Sequence, residues 1–339
     1  MVWLQCGWPM PSAVPLPPAG VSCLKPSVVI AGLGRIGCGY DLAKAADSLP
    51  MTHVGAVMAD PRFRLAGAAD PGADRRKLCQ SVWPDIELAG DAGDLIERAR
   101  ADIVCIATPS AIRRDLVETA VRAGARLIFC EKPLALAVED AEWIIDHCAA
   151  NNVRVAVNLS RRWEPGCVAA GQMIAGGDIG EVRRVTGLYT RGISNNAAHL
   201  IDLVRNWIGD IQDCSITGRH YPDAPDFRLI AGANIPVDVL GMDGTAVDLF
   251  RLEVFGSEGR LLLDDFGAEL SVRLAEPLPE DPTLRVLGTS RPIASDPGVT
   301  MTAAWDNLYD CLTADRAPAC SGDDGLAVAR ICHRLEQMV

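Results

Sequence analysis

No two of the 12 cysteines in this 339-residue chain stand in C-x-x-C spacing. They are scattered from Cys6 to Cys332, several inside apolar runs such as those around Cys105 and Cys130. This argues against a zinc site and a disulfide framework, and predicts reduced, buried thiols in a cytoplasmic protein. Positive charge is also short. Lys and Arg number 32 against 44 Asp and Glu, and the net charge of −12 argues against nucleic acid or an anionic membrane as partner. No stretch reaches the roughly 18 consecutive apolar residues of a membrane span. No lysine or arginine precedes Lys25, and prolines interrupt the first 26 residues. That segment lacks the basic start and unbroken apolar core of a secretory signal. Residues 1–26 are expected to be a disordered extension or an early start.

What is present is a chain of 49% hydrophobic and 22% charged residues, the balance of a soluble globular protein of about two domains. Its most informative stretch is Ser27 to Gly37, SVVIAGLGRIG. Val28 to Ala31 suit a strand buried on both faces. Gly32-Leu33-Gly34-Arg35-Ile36-Gly37 follows in G-x-G-x-x-G spacing. The first glycine allows a tight turn, the second lets a pyrophosphate approach the backbone, and the third lets a helix pack close. The N-terminus of a helix over Ile36–Ala46 would offer free N–H groups to the phosphates.

Strand and helix alternate from there. Ser48-Leu49-Pro50 breaks the first helix, and a short one follows over Thr52–Met58. Strands are expected at Arg64–Ala69, Ile86–Leu88, Asp102–Ala107, Leu127–Cys130 and Val153–Val157. Helices are expected at Asp74–Val82, Asp91–Arg100, Ala111–Ala123 and Val138–Ala150. This is a doubly wound parallel sheet over residues 27–158, built from two mononucleotide-binding halves. The glycine loop, Asp70, Thr108-Pro109, Glu131-Lys132-Pro133 and Asn158 each fall just after a strand, where such sheets bind ligands.

Several residues stand out at these strand ends. Asp70 suits the ribose hydroxyls of NAD and would repel the 2′-phosphate of NADP. It lies about thirty residues beyond the glycines, longer than the usual ~20, and the Ser48–Met58 interruption accounts for the excess. Arg75 and Arg76 keep NADP open. Lys132, desolvated beside an oxidised nicotinamide, suits a base for a hydroxyl proton, or else a surface ion pair with Glu131. Arg161, Arg162 and Trp163 suit a carboxylate, a phosphate or a sugar ring, or salt bridges to the second domain.

Residues 159–339 read as a second, α+β domain. Helices are expected at Pro165–Ala175, Asn196–Trp207, Val299–Ala314 and Gly325–Met338. Strands are expected at Val182–Tyr189, Asp213–Arg219, Leu229–Asn234, Val237–Met242, Ala246–Phe255, Leu261–Asp264 and Leu270–Leu274. Strands without intervening helices imply mostly antiparallel pairing. Pro277–Pro297, rich in proline and charge, reads as a surface loop.

The motifs AGLGRIG, ADP, IATPS, CEKPLA, VNLSRRW, GDIGEVRRV and HLIDLV, in that order, resemble the Gfo/Idh/MocA oxidoreductases. The family is named for glucose–fructose oxidoreductase, inositol dehydrogenase and a rhizopine-catabolism protein. The resemblance implies a Rossmann domain followed by a mostly antiparallel open sheet that covers the nicotinamide and carries a homodimer or homotetramer interface. It implies that Lys132 contacts nicotinamide and substrate hydroxyl, that Lys132–Pro133 is cis, and that His199 carries a proton or donates a hydrogen bond to substrate. The family's aspartate four before this histidine is here Asn195, which would orient the sugar and leave His199 titrating near its free value of about 6.5. Asp202 shares the face of His199 and is taken as structural. Arg113 stands where the family commonly has a histidine; it suits a phosphate, or solvation beside Arg114. The implied activity is NAD-dependent oxidation of a sugar, polyol or nucleotide-sugar hydroxyl, with NADP the lesser cofactor. Cofactor contacts are expected from Gly32 to Gly37, Asp70, Thr108, Pro109, Glu131 and Lys132. Substrate contacts are expected from Lys132, Asn158, Arg161, Arg162, Asn195 and His199. The alternatives are a redox-neutral NAD-dependent glycosidase and a non-catalytic NAD-binding regulator.

Overall fold

The structure, a computed structural model, describes residues 25–44 and 48–339. The extension expected over residues 1–26 lies almost wholly outside them.

Ser27–Ala31, all buried, forms the central strand β1, and its first residue is held by the Asp102 carboxylate, which accepts from Ser27 N and Oγ at 2.9 and 2.8 Å. The chain continues through α1 (His53–Ala59), β2 (Arg64–Ala69), α2 (Ala73–Val82), β3 (Leu88–Ala89), α3 (Ala92–Ala99), β4 (Ile103–Ile106), α4 (Arg113–Ala123), β5 (Leu127–Cys130), α5 (Val138–Ala150) and β6 (Arg154–Val157). The six strands are parallel in the order β3-β2-β1-β4-β5-β6. That order reverses between β1 and β4, so their carboxyl ends open a crevice. β1, β4 and β5 are buried at every residue, as expected of strands covered on both faces.

The helix expected over Ile36–Ala46 does not form. Cys38 N and Gly39 N both bond to Gly34 O, and a short 3₁₀ turn follows at Gly39–Asp41. α1 then resumes the interrupted turn: His53 N donates to Ile36 O at 3.1 Å and Val54 N to Gly37 O at 2.9 Å. The excursion between is pinned by Asp41, whose carboxylate accepts from Met51 N, Thr52 N and Thr52 Oγ1. Thr52 in turn caps α1 through Gly55 N. One helix has thus been opened by an inserted loop.

The second part comprises α6 (Pro165–Gly176), β7 (Val182–Tyr189), α7 (Ala198–Ile208), β8 (Ile211–Gly218), β9 (Asp226–Ala231), β10 (Ile235–Gly241), β11 (Phe250–Gly256), β12 (Gly259–Asp264), β13 (Glu269–Leu278), β14 (Asp281–Leu287) and β15 (Arg291–Ile293). The sheet runs β14-β13-β12-β11-β7-β10-β9-β8, with β15 on β13. All its pairs are antiparallel except β7 with β10. The loop expected over Pro277–Pro297 is instead the end of β13 followed by β14 and β15. Both new strands are exposed edges, so their sequence shows no buried alternation and they tolerate proline. The last helices, α8 (Thr300–Thr313) and α9 (Gly322–Glu336), return to the first sheet: α8 packs on α1, and α9 packs on α5 and β6. The ten described cysteines are all buried and unbridged. No helix among the described residues is long and apolar enough to cross a membrane.

Candidate active site

The glycine loop leaves one side open. Gly32 has a φ of +102°, and a Cβ there would lie 2.7 Å from the Ala107 carbonyl, so only glycine fits between β1 and the end of β4. A Cβ on Gly37 would strike Gly32 O at 2.1 Å, whereas one on Gly34 would meet nothing within 4 Å. After Leu33 the next backbone donor to find a partner is Cys38 N, so the N–H groups of Gly34 to Gly37 have no acceptor among the described residues. The loop borders a cleft of about 900 Å³ lined by Gly32, Gly34, Arg35, Ile36, Asp70, Thr108, Pro109, Glu131 and Lys132. A dinucleotide fits these features: free N–H groups for phosphate, an open glycine for its approach, and the unpartnered Thr108 Oγ1 in the wall. Leu33 stands behind the wall and acts through its N–H, which donates to Asp70 Oδ2 at 3.0 Å.

Asp70 is buried at the end of β2. Its carboxylate also accepts from Gly72 N at 2.8 Å and pairs with Arg75 at 3.1 Å, while Arg76 donates to its carbonyl oxygen at 2.5 Å. Both arginines are turned onto this one residue.

Arg113 borders the large cleft and is not solvated. It is buried, with Nε and Nη2 donating to Thr108 O at 3.2 and 2.9 Å and Nη1 donating to the carbonyls of Glu131 and Pro133. It therefore ties the turn after β4 to the turn after β5, where Lys132–Pro133 is cis. Arg114 is the surface member of the pair, bonded to Asp140 at 2.8 Å and lying over Trp143.

Beside the large cleft lies a second cavity of about 490 Å³ between the two sheets. Its polar wall holds Arg35, Glu131, Lys132, Asn158, Arg161, Glu164 and His199, the two acids being held by partners of their own; Tyr40, Met51 and Phe266 supply much of the rest. Lys132 borders both spaces. Its Nζ donates to Asn195 Oδ1 at 2.6 Å. Burial pushes its pKa down, the Glu131 charge opposes this, and Arg161 and Arg113 add to the lowering. Glu131 is held by two donors on Oε1, His53 Nε2 at 2.9 Å and Asn158 Nδ2 at 2.7 Å. Burial opposes its charge, but these partners and Arg113 keep its pKa below the usual carboxylate value. Sequence reasoning missed His53; it lies 78 residues from Glu131, and no local pattern links the two.

His199 sits in the cavity with Nδ1 enclosed and unpartnered. The expectation of a near-free titration fails. Burial lowers the pKa well below 6.5, and the Arg161 and Lys132 cations lower it further. The side chain is a neutral imidazole at pH 7. Asn195, expected to orient the sugar, accepts from Lys132 Nζ.

The two arginines after β6 part ways. Arg162 does not reach the cavity. It forms a buried two-pronged pair with Asp202 (2.9 and 2.7 Å) and also meets Asn206 and Asp324. A substrate role for Arg162 is thereby corrected to a structural one, and Asp202 is structural as expected. Arg161 turns inward.

The fold and cleft define a class: a dinucleotide-binding sheet whose strand ends are closed by a second sheet, with a half-buried lysine where the two spaces meet. Residues 27–159 match the family model GFO_IDH_MocA, described as "Oxidoreductase family, NAD-binding Rossmann fold". Residues 27–159 are thus a Rossmann domain of the Gfo/Idh/MocA oxidoreductase family. The chain is 25% identical over 326 residues to D-apiose dehydrogenase of Paraburkholderia graminis, covering 86% of this chain and 83% of that protein. It is 38% identical over 157 residues to inositol 2-dehydrogenase of Rhizobium meliloti, covering 46% of this chain and 42% of that protein. The fold is similar to that of the WlbA dehydrogenase of Bordetella pertussis, solved with NADH and UDP-GlcNAcA, with a TM-score of 0.75 at 18% identity over 93% of this chain and 95% of that one.

Proposed function

We propose that the protein is a dehydrogenase that oxidises a CH–OH group of a sugar-like or polyol substrate with NAD. The observation that carries this reading is Lys132, a desolvated amine at the junction of the cofactor cleft and the inner cavity. The names of the apiose and inositol relatives supply the substrate class.

When bound, the nicotinamide supplies the hydride acceptor. The residues of the chain handle the proton. A lysine with a lowered pKa has more neutral amine near neutral pH, so Nζ can take the hydroxyl proton during oxidation and return it during reduction. Asn195 Oδ1 accepts one N–H of that amine and fixes its direction. His199, held neutral, offers one donor and one acceptor to substrate hydroxyls. Asn158, fixed through its Nδ2 to Glu131, lines the same space. Asp70 favours NAD, because its charge opposes a 2′-phosphate and both nearby arginines are engaged with it.

The test is absorbance at the reduced-nicotinamide band with NAD or NADP and a panel of polyols, sugars, sugar acids and nucleotide sugars. One substrate class should respond with NAD, and Lys132→Ala should lower kcat by roughly a thousandfold. Aglycone release without net NADH would mark a redox-neutral glycosidase instead. Dinucleotide binding without turnover would mark a regulator.

A further inference from the structure

Arg161 lines the inner cavity and makes no ion pair among the described residues. It follows β6 and lies beneath the second sheet, its guanidinium carbon 3.7 Å from the centre of the Phe250 ring. Among the described residues its one hydrogen bond runs from Nη2 to Phe266 O at 3.3 Å. Nε is enclosed and unpartnered, and Nη1 makes no hydrogen bond. No carboxylate among the described residues lies within ion-pair distance of it.

The two acids nearest in charge are both engaged elsewhere. Glu164 caps α6, accepting from Gly166 N and Cys167 N, and its oxygens also bind Ser295 Oγ and Asp296 N. Asp202 is locked to Arg162. Lys132 adds a second cationic head to the same cavity, and His199 brings no negative charge. A buried guanidinium without a counter-ion is costly, and its planar fork matches a carboxylate. The aromatic face of Phe250 stabilises the cation from one side and leaves its edge free.

We propose that the substrate is a hydroxy acid of the sugar-acid class, with its carboxylate received by Arg161 and its reacting hydroxyl at Lys132. This rests on the reading of Lys132 as the proton carrier, and it narrows that reading to acids. A single free guanidinium edge suits one monoanionic carboxylate. The neutral polyol would leave Arg161 buried and unpaired, so the site selects against it.

The experiment compares matched pairs: aldonates against the alditols of the same configuration, and uronates against the parent aldoses, each with NAD. The wild-type protein should favour the acid in kcat/KM by about 100-fold. In Arg161→Met that ratio should collapse toward one, and in Arg161→Lys it should be partly restored. Thermal melts and NADH binding of both variants show that they fold. Equal or better use of the neutral partner by the wild-type protein would overturn the proposal. So would a ratio unchanged in Arg161→Met, or a preference for sugar phosphates. Absence of turnover in both series would remove the dehydrogenase reading but still decide this one. The acids would then be titrated calorimetrically against NADH-loaded wild type and Arg161→Met. Saturable binding lost in the variant keeps Arg161 as a carboxylate site, and no binding to the wild type overturns it.

Discussion

At the scale of single residues, the chemistry turns on Lys132 and what stands beside it. An aspartate at position 195 would favour the ammonium form of the lysine, whereas Asn195 directs Nζ without adding a charge. This gives a signed prediction. A base works when deprotonated, so oxidation falls away as pH drops below its pKa. Asn195→Asp should raise the Lys132 pKa and move the acidic limb of the kcat/KM profile toward higher pH by about one unit or more. A limb that stays put would mean that Lys132 is not the titrating base. Lys132 was legible because it closes a buried strand next to an acid and a proline. Arg161 and Arg162 were not separable in sequence. Both follow β6, and only the placement of Asp202 on α7 and Phe250 on β11 decides that one is locked and the other is open. The titration of His199 was misjudged for the same reason. Its environment consists of cations and apolar walls contributed from distant segments.

At the scale of elements, the strand ends are held in relation to one another by groups that carry no chemistry themselves. Arg113 joins the turns after β4 and β5 through the carbonyls of Thr108, Glu131 and Pro133. Removing it leaves buried carbonyls without donors. Arg113→Met should lower unfolding free energy by about 3 kcal/mol. Arg114→Met, at an exposed ion pair, should cost less than about 1 kcal/mol. Urea denaturation of the two variants side by side checks this, and equal small losses would contradict the clamp. The β-α alternation was readable because buried strands are short apolar runs bounded by turn residues. The first helix was not readable as an opened one. Its continuity lies in backbone bonds from His53 and Val54 to Ile36 and Gly37, which side-chain pattern does not encode. The edge strands β14 and β15 escaped because exposed strands need no apolar face.

At the scale of the molecule, two sheets and a returning C-terminus build one cleft. α9 lies against β6, where Val157 N donates to Cys320 O at 3.1 Å, so the last helix of the chain supports the strand that presents Asn158 and Arg161. The sequence order of motifs made the first sheet and its ligand edge plain. The inner cavity needed the structure, because its walls come from the opened first helix, the end of β5, the turn after β6, α7 and the segment before α8.

The central claim is that carbon-bound hydrogen leaves the substrate in this cleft and that Lys132 takes the accompanying proton. The most direct measurement supplies the substrate panel deuterated at its carbon-bound positions and follows the mass of the nicotinamide. The account predicts reduced nicotinamide one mass unit heavier with the wild-type protein, formed roughly a thousandfold more slowly by Lys132→Ala. Product formed with the deuterium washed into solvent, or label transfer undiminished in Lys132→Ala, would contradict it.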